Sequence, residues 1–307
     1  MPRTIFLLLA LSLLFPACSP TERGDTPLIV TSIAPLGSWI SAVGGDDVEV
    51  LILLPSTMNP HTFELTPVQL RQAGQASMIV LNGAGLEFWA SRLLDNLSDK
   101  DIPVVTLSDF VDLLQVGHEH EAHDHRGHDH GGDHQRAHTH EAGNPHFWLD
   151  PAIAAHSVMR IADRIADILP EKRDSIIARA EAYRLALLEL DAEIAVEVST
   201  WKQHRFIGDH SAWVYFARRY DLEEAGVIEA IPGREISARA LADLIALMQS
   251  RQVNVVFSDM RNASRAADIL AEETGARLVR LDPIGAVESD YIDIMRFNVS
   301  EMAKVMQ

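Results

Sequence analysis

The chain has 307 residues, 47% apolar and 23% charged, an ordinary globular make-up with room for two modest domains. Its 44 acidic side chains against 26 basic ones give a net charge of −18, which argues against a nucleic-acid partner and suits the attraction of cations. The single cysteine excludes an internal disulfide.

The N-terminus reads as an export segment. Arg3 precedes the apolar run 5–15, too short to span a membrane as a mature helix and of the length of a secretory signal. The run ends in Phe15-Pro16-Ala17-Cys18, which resembles a bacterial lipobox, with Phe15 where Leu is usual. The expectation is a signal over 1–18, a lipid on Cys18, a polar tether over 19–26, and a mature protein in the periplasm or on the outer face of the membrane.

Apolar runs then alternate with helical patterns. Strands are predicted at 28–32, 48–54, 78–81 and 104–106, with helices at 35–43 and from Pro67, where Thr66 supplies the cap. The stretch 117–141, GHEHEAHDHRGHDHGGDHQRAHTHE, breaks the rhythm. It holds nine histidines (His118, His120, His123, His125, His128, His130, His134, His138 and His140) among Asp and Glu, with no apolar period. It is expected to be a solvated loop that binds metal ions weakly, since neutral imidazole suits zinc, copper and nickel.

Asp150-Pro151 caps a helix predicted to run to 169, and a second helix over 173–201 contains neither Gly nor Pro. At 1.5 Å per residue the latter is about 40 Å long, the length of a strut between lobes. Beyond it come strands at 206–208, 226–229, 253–258 and 277–281, and helices at 212–220, after Ser237 through Met248, at 263–274 and at 291–306. The fold class is α/β: parallel sheets flanked by helices in two lobes, 27–172 and 202–307, joined by a rigid linker helix.

Outside the tract the histidines are His61, His146, His156, His204 and His210. His156 falls inside a helix and His204 in a polar segment, and both read as structural or exposed. His61, His146 and His210 occupy loops next to strands, where an open α/β sheet presents binding groups, and Asp282 ends a fourth such loop. Asn-Pro-His occurs twice, at 59–61 and 144–146, each time fixing the histidine beside a proline. Two candidate ligands per lobe place a metal in the cleft, and three imidazoles with one carboxylate suit tetrahedral zinc. Trp89, Trp148 and Trp213 are expected to pack near it. Imidazoles must be neutral to bind, so affinity is expected to fall as pH drops through about 6.5.

The segments PHTFELTP, NPHFWLDP and GDHSAWVYFARRYDL, the histidine tract before the second, and LDPIG followed by Tyr291 and Asn298 together resemble the zinc-specific solute-binding proteins of bacterial ABC transporters, the ZnuA-like branch of the metal-binding cluster. The resemblance spans nearly all of the mature chain. It implies His61, His146 and His210 as ligands, with Asp282 or water as the fourth. It also implies a monomer that is no enzyme, and that carries Zn²⁺ as substrate to a membrane permease driven by a separate ATPase. Leu65 and Ser258-Asp259-Met260 depart from the family pattern, the latter where a glutamate is usual. Manganese or iron as cargo, a surface metal buffer or adhesin, and a zinc hydrolase are the rivals; the chain lacks the HExxH motif of the last.

Overall fold

The computed structural model describes residues 26–115, 143–229, 236–261 and 264–307. The export segment with Cys18, nearly all of the tether and the histidine tract lie outside them.

Strands β1 (Leu28–Thr31), β2 (Glu49–Ile52), β3 (Met78–Leu81) and β4 (Val104–Thr106) form one parallel sheet in the order β2-β1-β3-β4. β5 (Arg205–Gly208), β6 (Glu223–Val227), β7 (Val255–Asp259) and β8 (Arg277–Leu281) form a second in the equivalent order β6-β5-β7-β8. Central strands of a sheet covered on both faces must be apolar throughout, and β3 (MIVL) is buried at every residue. In each sheet the order reverses beside the first strand, which opens a crevice at the carboxyl ends of β1 and β3, and of β5 and β7.

The helices are α1 (Ala34–Gly44), α2 (Pro67–Ala73), α3 (Ala90–Asn96), α4 (Pro151–Ile168), α5 (Arg173–Val198), α6 (Val214–Arg219), α7 (Ala238–Arg251), α8 (Arg265–Thr274) and α9 (Tyr291–Met306). The starts of α2 and α4 follow the expected chemistry. Thr66 and Gln69 form a reciprocal capping box on α2, and the Asp150 carboxylate accepts the N–H groups of Ala152 and Ile153 at the start of α4. Among the described residues no helix is long and apolar enough to cross a membrane.

Two elements differ from expectation. The strand placed at 226–229 runs instead over Glu223–Val227, because β6 is an edge strand, half-buried along its length, that needs no apolar run. α3 was not foreseen, since it starts at Trp89 without a side-chain cap.

The long helix α5 has 26 residues, about 39 Å, and packs against α4 and α1 of the first lobe and α9 of the second. Arg179 on α5 donates to the Val43 and Gly44 carbonyls at 2.7 and 2.8 Å, satisfying the end of α1. A second tie comes from α9. The Tyr291 N–H donates to Ser38 Oγ at 3.0 Å, its ring meets Trp39 edge-on at 5.4 Å, and its hydroxyl donates to the Trp148 carbonyl at 2.6 Å. One apolar core runs through both lobes, and a smaller one fills the outer side of the second sheet. Two helices and a shared core leave little freedom for hinge motion.

Candidate metal centre

His61 stands in the loop between β2 and α2, where the Asn59 side chain accepts its backbone N–H at 2.9 Å and closes a turn. His146 ends the second Asn-Pro-His and opens a short 3-10 turn that leads into α4. Its loop is braced from β3 by Asn82 Nδ2, which donates to the Pro145 carbonyl at 2.9 Å. His210 stands two residues past the end of β5. Gly208 is required there, since a Cβ would lie 2.9 Å from both Glu224 Oε1 and the His210 carbonyl.

These three loops converge. His146 Nε2 is 3.1 Å from His61 Nε2 and 3.3 Å from His210 Nε2, and one ring nitrogen from each histidine lies within 4.8 Å of the other two. Metal–nitrogen bonds of 2.0–2.1 Å in a tetrahedron set ligand nitrogens roughly 3.3 Å apart. The two close separations match that edge, so one cation can bridge the three rings. The cluster opens on an interlobe cavity of about 750 Å³ whose wall includes Trp148, Glu229, Asp259, Pro283 and Ile284.

Burial sets the charge state. Desolvation lowers His61 to about 3, helped by the neighbouring His210, and lowers His210 to about 4. It takes His146, the most enclosed, well below the ordinary imidazole value, with smaller contributions from His210 and His61. All three are therefore neutral donors at neutral pH. Burial corrects the loss expected near pH 6.5 downward: metal affinity should hold from pH 7.5 to about 5 and disappear toward pH 4 to 3. The metal-free fold should respond in the same direction. Below about 6.5 the unfolded chain binds a proton at each of the three histidines that the folded chain refuses, so each lowers stability on acidification by up to about 1.4 kcal/mol per pH unit. Urea melts at pH 7 and 5.5, with and without metal, measure it. A metal-free stability unchanged across that interval would contradict the buried neutral state.

Asp282 is not brought into this group. Its carboxylate forms a two-pronged pair with Arg261, Nε to Oδ1 at 2.8 Å and Nη2 to Oδ2 at 2.6 Å, and Oδ1 also accepts the Gly285 N–H at 2.9 Å. Burial pushes this carboxyl up, but Arg261 and the loop N–H groups outweigh it and hold it below its usual value. Arg261 also donates to the Ser56 carbonyl, across the cleft in the loop that carries His61. Nothing in the sequence announced Arg261. Asn298 on α9 holds the backbone of Asp282 at both its N–H and its carbonyl, each at 2.7 Å.

His156 and His204 are exposed and lie apart from the cluster. Of the tryptophans, Trp148 lines the cavity, with its ring 5.1 Å from that of His146 and its Nε1 donating to the Pro283 carbonyl at 2.8 Å. Trp89 packs on Phe63 and Trp213 on Phe216. Ser258, where the sequence departs from the family pattern, donates to Asp209 Oδ2 at 2.6 Å, directly behind His210. Desolvation pushes Asp209 up to about 6.

A family profile described as zinc-uptake complex component A, periplasmic, matches residues 29–305. The chain belongs to that family. Among its curated relatives, the zinc-binding lipoprotein AdcA of Streptococcus pneumoniae is 30% identical over 98% of this chain, and the high-affinity zinc uptake system protein ZnuA of Bacillus subtilis is 30% identical over 97%. The chain spans 60% of the length of that AdcA and 95% of that ZnuA. A crystal structure of ZnuA superposes with a TM-score of 0.78 at 27% identity, covering 92% of this chain and 100% of that one. The Zn(II)-bound ZnuA-like domain of Streptococcus pneumoniae AdcA superposes at 0.72 with 24% identity, over 92% of this chain and 99% of that one, a likeness of fold. The family match agrees with the two-lobed α/β architecture.

Proposed function

We propose that this chain captures Zn²⁺ outside the cytoplasmic membrane and hands it to an ABC permease for import, acting as a binding protein and not as a catalyst. The observation that carries the reading is the convergence of three neutral imidazoles from both lobes, His146 buried and His61 and His210 half-buried, with His146 Nε2 3.1 and 3.3 Å from its neighbours. His61, His146 and His210 hold the ion and water takes the fourth position. Asp282, engaged by Arg261, supports the cleft wall without binding the metal. Borderline-soft nitrogen donors with no carboxylate among the grouped residues favour zinc over manganese, whose preferred ligands are oxygens. The relatives' names, zinc-binding lipoprotein and zinc uptake system protein, support the same cargo.

In this reading Cys18 carries a lipid that keeps the protein at the membrane, the partner is a permease with its separate ATPase, and the protein works as a monomer. The histidine tract collects ions at low affinity and passes them to the cleft. The two interlobe ties restrict closure, so selectivity comes from donor chemistry more than from domain motion.

Competitive titration of zinc against manganese, on the mature chain and on a form lacking 117–141, tests this. Both should retain one tight zinc that manganese does not displace. Loss of tight binding with the tract removed, or displacement by manganese, would sink the proposal.

A further inference from the structure

The two Asn-Pro-His segments look alike in sequence, yet their asparagines do different things. Asn59 Oδ1 accepts only the backbone N–H of its histidine among the bonds to that residue, at 2.9 Å. Asn144 is buried, and its Oδ1 accepts both the backbone N–H of His146 at 2.9 Å and the ring Nδ1 at 3.0 Å. Its amide orientation is fixed from both ends. The oxygen must face a backbone N–H, and Nδ2 must face the Ser211 carbonyl, to which it donates at 2.6 Å. An oxygen that can only accept leaves one assignment for the ring: Nδ1 carries the hydrogen, and the free lone pair is on Nε2. Nε2 is the atom that faces His61 and His210.

The asparagine backbone is tied down as firmly. Its N–H donates to the Leu114 carbonyl at 2.6 Å, and its carbonyl accepts the Tyr215 hydroxyl at 2.7 Å. That hydroxyl in turn accepts the Leu114 N–H at 2.9 Å. Asn144 thus joins the chain entering from β4, the ring of His146, the residue after His210 and helix α6, with no polar atom left over. A histidine free in water favours the opposite tautomer, with the hydrogen on Nε2, which would point a hydrogen at the metal position.

We propose that Asn144 is a positioning residue for metal capture: it selects the Nδ1–H tautomer of His146 and, through Ser211, sets the spacing between His146 and His210. An acceptor on Nδ1–H also makes Nε2 a better donor. This rests on the proposed zinc reading, with His146 as ligand.

The test uses the full mature chain. Nitrogen-15 correlation spectra of the metal-free parent should show His146 with the hydrogen on Nδ1. Asn144→Leu should shift that ring toward the Nε2–H form and weaken zinc binding by about 10–100-fold, the usual effect of removing an outer partner of a histidine ligand. Asn144→Asp, which keeps the acceptor, should restore the tautomer, while the lost donor to Ser211 leaves part of the affinity deficit. An Nε2–H ring in the parent overturns the proposal without any variant. So does a folded Asn144→Leu that binds zinc within threefold of the parent. Failure of the parent itself to bind zinc tightly would instead refute the zinc reading, and the tautomer measurement separates the two.

Discussion

Replacing His146 by alanine should lower zinc affinity at the cleft by about a thousandfold. Structural zinc sites are bound with about 10–16 kcal/mol spread over four ligands, so one imidazole represents about 2.5–4 kcal/mol, or two to three powers of ten. His146 belongs at the upper end, because its Nε2 is the one within hydrogen-bonding range of both other rings. Its loss leaves His61 and His210 facing a gap, each held by its own loop with no reason to approach. The tract histidines are no substitute in the proposed division of roles, which assigns them low-affinity binding alone. Chelator competition reads the effect directly, with His156→Ala, at an exposed position on α4, as the control that should change nothing. A loss of less than tenfold would place the tight site elsewhere.

The second large effect separates stability from binding. Asp282→Ala should cost about 3 kcal/mol of folding stability, the lower end for removing one partner of a buried ion pair. The side chains of Arg261 and Asp282 are only 18% and 14% exposed, so the guanidinium left behind is poorly solvated. It also loses the group that aims it at the Ser56 carbonyl in the opposite lobe. Zinc affinity should stay within about threefold, because Trp148 to Pro283 and Tyr291 to Trp148 still tie the lobes together. Denaturant melts of the metal-free protein alongside zinc titration give both numbers. An affinity loss of tenfold or more with stability unchanged would make Asp282 a ligand after all.

Much of the fold was legible because its signals are local. β3 and β8 occupy the residues expected, β3 as an apolar run and β8 as RLVRL ahead of Asp282-Pro283, and α4 begins at Asp150-Pro151, a cap plain in the sequence. Edge strand β6 was misplaced by three residues for the opposite reason: with one side unpaired, its sequence carries Glu223, Glu224 and Gly226, and no apolar pattern marks it. The three histidines could be singled out because a ligand type recurred in loops at strand ends. Their depressed proton affinity could not, since it comes from burial that only the assembled cleft provides. Arg261 was invisible for a related reason. Its partners Asp282 and Ser56 are 21 and 205 residues away, and no spacing rule links an arginine after β7 to a carbonyl in the other lobe. Asn144 lay in a recognised motif, but its second role depends on whether a ring turns back on it, and Asn59 demonstrates that the same three letters do not decide that.

Coordination of one zinc by three imidazoles is the central expectation for this protein. X-ray absorption at the zinc edge, on the full mature chain given half an equivalent so that the tightest site fills first, measures it. The predicted spectrum has three imidazole nitrogens and one further light atom, all at about 2.0–2.2 Å. A spectrum dominated by oxygen ligands, or one that still showed three imidazoles in His146→Ala, would contradict it.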